Sequence, residues 1–215
     1  GNSWSSTYQT IRKLLMVSKD DAHRHIMQEL TTPEEQIFRD FIKNQKPIEL
    51  VIKKEMLSIF LAKNIIGQQL STKAANSIWS KIEKKILEYN TKKTNQLSLE
   101  DFLSSNGVSR KKAQYISGIT LSGDFKHFRR YYMKYSEEDF EELLMSRKGI
   151  GIWTFGMTKI FFMGNQDQIL VNDLGVQKAY KKINTGNNIL EWSEKFKPYR
   201  SYLCIYLWKF LDFKV

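Results

Sequence analysis

One cysteine, Cys204, and three histidines are all the thiol and imidazole metal ligands in 215 residues. That scarcity excludes an internal disulfide, a zinc ribbon and the four-thiolate ligation of an iron–sulfur cluster. His23 and His25, in "AHRHI", are two residues apart, which splits their side chains across a helix, so the pair reads as surface histidines and not as a metal site. Long apolar runs are also missing. Stretches such as "LLMV" and "IFF" are far too short to cross a bilayer, and no secretory signal pattern is evident, so the expectation is a soluble intracellular protein without a membrane partner. Only three prolines and eleven glycines leave little room for low-complexity linkers.

What is abundant is positive charge. Thirty-four Lys and Arg against twenty-three Asp and Glu give a net charge of +11. This favours a polyanion such as nucleic acid, with an acidic membrane surface as the competing partner. A chain of this length suits one domain or two lobes and buries about 70% of the surface its unfolded form exposes.

The patterning is helical almost throughout. After a plausible N-cap at Ser71, apolar residues at Ala74, Ala75, Ile78, Trp79, Ile82 and Ile86 form the stripe of a helix packed on one face. "LSLEDFL" and "SEEDFEELL" offer Ser98 with Asp101 and Ser136 with Asp139 as capping pairs that mark helix starts. Between them, Asn106-Gly107 reads as a stop and Ser109 as a new cap, with Ala113 and Ile116 turned inward. Two weaker helical patterns, "STYQTIRKLLMV" and "PEEQIFRDFI", occupy the first fifty residues, with Pro33 placed at a first turn. The one extended piece is "QILVN", Gln168 to Asn172, and a lone strand makes no sheet. An all-α fold follows.

The stretch from Gly149, "GIGIWTFGMTKIFFMGNQDQILVNDLGV", carries the chemistry. Glycines at 149 and 151 turn the chain between a helix starting near Glu137 and one running from about Ile152 to Met163. The second helix then presents bare backbone N–H groups that attract phosphate without reading sequence. A plain helical hairpin is the alternative. A helix of about twelve residues carries the chain roughly 18 Å out, and the extended piece can bring it back, so Asp173 can lie near Trp153. Asp173 also begins a helical pattern, "DLGVQKAYKKI", where an aspartate commonly serves as N-cap. Capping and chemistry are compatible, because the helix terminus favours a charged carboxylate able to offset a developing positive charge.

In this order, "IIGQQLSTKAA", "GVSRKKAQYI", "KGIGIWT", "ILVNDLGVQKAY" and "FKPYRSYLCIYLW" resemble the helix-hairpin-helix (HhH-GPD) superfamily of DNA glycosylases, and most of all its 3-methyladenine DNA glycosylase II (AlkA-type) branch. The likeness covers about Met56 to Phe210. It implies a two-lobed helical fold with the active-site cleft between the lobes, a core from 51 to 215 whose hairpin spans 137–163, and residues 1–50 packing on that core. The implied reaction is hydrolysis of the N-glycosidic bond of an alkylated purine in double-stranded DNA, as in base excision repair, with Asp173 as the catalytic residue. Where strand-cutting members carry a lysine this chain has Trp153, which implies no lyase activity. Lys159 lies about 240° around the helix from Trp153 and is a poor substitute.

Trp153, Trp208 and Met157 match pocket positions, though each tryptophan also suits a core. Gly149, Ile150 and Gly151 with Lys148 match the DNA-binding hairpin. The segment Gly67 to Ser71, with Gln68, Gln69, Leu70 and Ser71 as DNA-binding residues, matches the wedge region that fills the gap left by an extruded nucleotide, with Gln69 or Leu70 as the wedge. Lys111 and Lys112 are candidate phosphate contacts or a solvated basic face, and Arg200 matches a family position open to a structural role. No catalytic metal or cofactor is implied; a structural monovalent cation can accompany the hairpin when DNA is bound. A monomer is expected, in the bacterial nucleoid or, in a eukaryote, the nucleus. The alternatives are a non-catalytic module binding distorted DNA, or a glycosylase for uracil or oxidised guanine.

Overall fold

The computed structural model describes residues 18–91, 96–122, 125, 135–183, 186 and 188–213. Residues 18–29 are helical (α1), and a 3₁₀ turn at Pro33–Glu35 leads into α2 (Gln36–Lys43). Four helices follow: α3 (Leu57–Gly67), α4 (Thr72–Thr91), α5 (Gln96–Ser105) and α6 (Arg110–Leu121). Then come α7 (Glu137–Met145), α8 (Ile152–Phe161), α9 (Leu174–Ile183), the short α10 (Ile189–Ser193) and α11 (Arg200–Leu211). No strand occurs among the described residues, and the fold is all-α. The expected extended piece is irregular: Ile169 and Leu170 are buried, and a turn follows at 171–172. The pattern "STYQTIRKLLMV" lies outside the described residues.

Helix boundaries follow local chemistry. Ser71 Oγ accepts the Ala74 N–H at 3.2 Å, and Ser109 Oγ accepts that of Lys112 at 3.4 Å. Ser136 and Asp139 form a reciprocal box, with Ser136 Oγ accepting at 3.0 Å and Asp139 Oδ2 accepting at 3.4 Å. The stop at Gly107, where φ is +93°, is a Schellman turn: the Val108 N–H reaches Leu103 O and the Gly107 N–H reaches Ser104 O. The helix expected to start at Ser98 already runs from Gln96. Asp101 lies 3.3 Å from Arg110 at the surface.

The chain divides into two compact units, one from the residues up to Ile52 together with Gly156 onward, the other from Lys53 to Phe155. In the first unit, Phe38 and Phe41 of α2 meet Phe210 of α11 at ring-centroid distances of 5.1 and 5.3 Å. The N-terminal helices therefore share one core with the C-terminal ones. In the second unit α3, buried on nearly every face, packs against α4 and α6, and α5 packs on α6.

The histidines are not simple surface residues. His23 Nδ1 lies 2.6 Å from Tyr206 Oη, which accepts the Ile48 N–H at 3.2 Å, while His25 Nε2 donates to Lys195 O at 3.1 Å. Two-residue spacing sends them to different partners, and both are half-buried in pinning α1 to the first unit. Burial pulls His23 below its ordinary value of 6.5, against the opposing charge of Asp20. A folded state that resists protonation is destabilised as pH falls through that range. The melting temperature should thus drop between pH 7 and pH 5, and His23→Gln should flatten the drop; an unchanged profile in the variant would remove His23 as its cause.

Candidate active site

Asp173 sits at the N-cap of α9. Its Oδ1 accepts the Val176 N–H at 2.8 Å and its backbone oxygen accepts that of Gln177 at 2.9 Å. From α11, the Trp208 indole N–H donates to the same Oδ1 at 2.8 Å. Trp208 in turn stacks on Phe161, with centroids 5.9 Å apart and planes at 24°. The carboxylate is thus oriented by a backbone donor and an aromatic one, and it remains only partly buried.

Gly175 makes this approach possible. A Cβ there would lie 2.9 Å from Trp208 Cδ1 and 3.1 Å from Asp173 Oδ1. Gly175→Ala should push the indole off the carboxylate and lower any activity that depends on Asp173 by up to about 10²-fold, as ångström-scale misplacement does, with the fold retained by circular dichroism. Full activity in that variant would show the indole contact to be dispensable.

The loop leading to Asp173 is held by the start of α11. Arg200 Nε and Nη2 grip the Asp167 carboxylate at 2.7 and 3.0 Å, and Nη1 reaches Glu194 at 2.9 Å. Ser201 Oγ donates to Asn165 O at 2.7 Å and accepts the Gln168 N–H at 2.9 Å. Arg200 therefore has a structural task. Met157 is half-buried against the first unit's core. Burial pushes the Cys204 thiol up to about 12, with Asp173 adding to the shift while the Leu170 backbone and Arg200 oppose it, so it is no nucleophile at neutral pH.

The second unit carries the hairpin. Gly149 has φ +91°, and a Cβ there would meet the Tyr115 ring at 2.5 Å. Ile150 is buried beneath the turn, Gly151 is exposed, and Ile152 at the start of α8 is 66% exposed. Trp153 is half-buried in the first turn of α8. Lys148 and Lys111 line one recess of about 670 Å³ with Gln114, Tyr115, Ser146 and Arg147.

Lys112 makes contacts within the protein. Its Nζ donates to Ile66 O at 3.0 Å and Gln68 O at 2.6 Å, and burial lowers its amine below the ordinary lysine value. Spacing predicts a basic pair, but one step along a helix turns a side chain by about 100°, and the second lysine faces inward. Gln68 donates its side-chain amide to Gly149 O at 3.0 Å. Gln69, with φ +60°, and Leu70, 42% exposed, form the outer part of that loop, and Ser71 is engaged as the α4 cap.

Among the described residues no group of three or more His, Cys, Asp or Glu is arranged to hold a metal ion. A monovalent cation at the hairpin would need carbonyl oxygens. Arg147 O accepts the Ile150 N–H and Gly149 O the Gln68 side-chain amide, and backbone carbonyls of this kind are the donor type that suits such an ion. Sequence reading missed Gly175 and the Arg200–Asp167 clamp. A glycine in the first turn after a candidate aspartate was the available signal for the former.

The HhH-GPD superfamily profile of base excision DNA repair proteins matches residues 62–197, and the chain belongs to that superfamily. It is similar to DNA-3-methyladenine glycosylase 1 of Schizosaccharomyces pombe, 29% identical over 179 residues that span 78% of each chain. Among solved structures, an S. pombe 3-methyladenine DNA glycosylase in complex with abasic DNA aligns with a TM-score of 0.69 at 22% identity, over 88% of this chain and 95% of that one. The 3-methyladenine DNA glycosylase of Archaeoglobus fulgidus aligns at 0.71 and 19% identity, over 99% and 77%. At these identities the structural likeness establishes the fold.

Proposed function

We propose that this protein is a monofunctional DNA glycosylase that removes alkylated purines of the 3-methyladenine type from double-stranded DNA. The observation that carries the reading is the Asp173 carboxylate, capped by Val176 and oriented by Trp208. An alkylated purine bears positive charge and leaves as a neutral base when the bond from C1′ to nitrogen breaks, so no acid is needed to protonate it. The sugar passes through an oxocarbenium-like state that the Asp173 anion offsets. Water then adds its oxygen to C1′ and gives up a proton, leaving an abasic site.

In this reading Trp153, Trp208 and Met157 each take the base-recognition role that the family resemblance implies, with indole faces favouring a cationic purine by about 0.5–2 kcal/mol. Trp153 in place of a lysine leaves no Schiff-base nucleophile at that position, so the strand stays intact. Gly149 to Gly151, with Lys148 and Lys111, contact phosphate, and Gln69 and Leu70 fill the gap left by the extruded nucleotide. The protein acts as a monomer without a catalytic cofactor, a monovalent cation joining the hairpin with DNA, and it works where DNA is housed, in a nucleoid or a nucleus. No helix among the described residues is long and apolar enough to cross a membrane.

The test is a release assay on duplexes that each hold one modified base, followed by alkali. Release of methylated purines, with strand breakage only after alkali, is the expected pattern. Preferential release of uracil or oxidised guanine would reassign the pocket, and tight binding to distorted duplex without any release would make this a binding module.

A further inference from the structure

Lys112, on α6, donates its ammonium to backbone oxygens of the protein. The last turn of α3 points its carbonyls at the loop 68–71, and Lys112 Nζ bridges Ile66 O and Gln68 O there, at 3.0 and 2.6 Å. One residue on, Gln69 adopts φ +60°, a left-handed conformation disfavoured for any residue with a side chain and kept only where the surroundings enforce it. On the other side, Gln68 Nε2 binds Gly149 O at 3.0 Å, at the glycine whose own φ is +91°. The loop closes with the Leu70 N–H on Gly67 O at 3.2 Å and the Ser71 cap on α4. Gln69 and Leu70 are thus the exposed part of a loop braced by α6 through Lys112 and by the hairpin through Gln68.

We infer that Lys112 is a positioning residue, not a phosphate contact. It locks the Gln69–Leu70 loop into one outward shape, and Gln68 ties that shape to the hairpin turn. The inference rests on the glycosylase reading, in which this loop takes the space of an extruded nucleotide. Its consequence is specific. Loosening the loop should impair the step that opens a base pair, and should matter little when the lesion is already unpaired.

The experiment compares Lys112→Met, Lys112→Arg, Gln68→Leu and, as control, Lys111→Ala. Two readouts are taken: the salt dependence of binding to undamaged duplex, and single-turnover release of a methylated purine that is either fully paired or opposite an abasic gap. For Lys112→Met the binding slope should be unchanged, and release should fall at least about tenfold on the paired substrate but less than about threefold opposite the gap. Lys112→Arg should recover part of the loss. Gln68→Leu should repeat the pairing-dependent loss without touching any charge, which keeps the inference testable if Lys112→Met folds poorly. Lys111→Ala should instead lower the slope by about 0.9, one phosphate's worth.

A drop of that size in Lys112→Met, with equal losses on both substrates, would overturn the inference. If the parent protein releases no base, the glycosylase reading fails by itself. The loop is then judged by 2-aminopurine fluorescence opposite an abasic site, which reports insertion without chemistry. An unaltered signal in Lys112→Met would reject the locking role, and a lost one would support it.

Discussion

Asp173→Asn is expected to slow base release by about 10²–10³-fold, the range for losing one electrostatic contact to a transition state, while duplex affinity and melting temperature barely move. The substitution isolates charge. Asparagine caps helices as well as aspartate does, and its carbonyl can accept the Val176 and Trp208 N–H groups that Oδ1 now accepts. Asp173→Ala removes more, because it deletes the cap, worth about 1 kcal/mol, and leaves a partly buried indole N–H unpartnered. The alanine variant should therefore be both slow and less stable, the asparagine variant only slow. Single-turnover release, fluorescence anisotropy and thermal melting separate the two; release by Asp173→Asn at the parent rate would remove the carboxylate from the mechanism.

Loss of the Glu35 carboxylate should have the largest effect on stability, about 3–5 kcal/mol, as expected when one partner of a buried ion pair is removed. Glu35 is 1% exposed. Its Oε2 accepts the Thr31 and Thr32 N–H groups at 2.9 and 3.0 Å, and Oε1 accepts Trp192 Nε1 at 2.6 Å and Lys195 Nζ at 2.5 Å. One side chain thus joins the turn before α2 to α10 and the 3₁₀ turn after it. Burial alone would raise the Glu35 carboxyl, but the hydrogen bonds of Lys195, Thr32 and Trp192 and the Lys195 charge outweigh it, and the net shift is downward from 4.5.

A depressed carboxyl stabilises the fold above its unfolded value, and that contribution fades as pH falls below about 4.5 through the folded value. Urea unfolding should show Glu35→Gln losing several kcal/mol near pH 7 and less of its stability than the parent between pH 5 and pH 3. A loss under 1 kcal/mol would mean that the pair is dispensable.

Local signals in the sequence located much of this. Caps at Ser71, Ser109 and Ser136, the glycine turn at 149 and the N-cap at Asp173 depend on residues within four positions of each other, so spacing alone exposes them. The pairing of Phe38 with Phe210 and of Glu35 with Trp192 joins residues more than 150 positions apart, and nothing near either one announces its partner. The internal contacts of Lys112 were hidden for a related reason. Charge in a sequence has no direction, and only the carbonyls at the end of α3 decide that this ammonium turns inward. Gly175 left a local signal, a glycine in the first turn after Asp173, but its reason is Trp208, which presses against it from 33 positions away.

The most direct test is to incubate the protein in excess with a duplex holding a single 3-methyladenine and to follow the free base by mass spectrometry and the strand by electrophoresis. Free 3-methyladenine should accumulate in one exponential phase, with the strand whole until alkali is added. A duplex that keeps its methylated base, or a strand cut before alkali, would contradict a hydrolytic glycosylase built around Asp173.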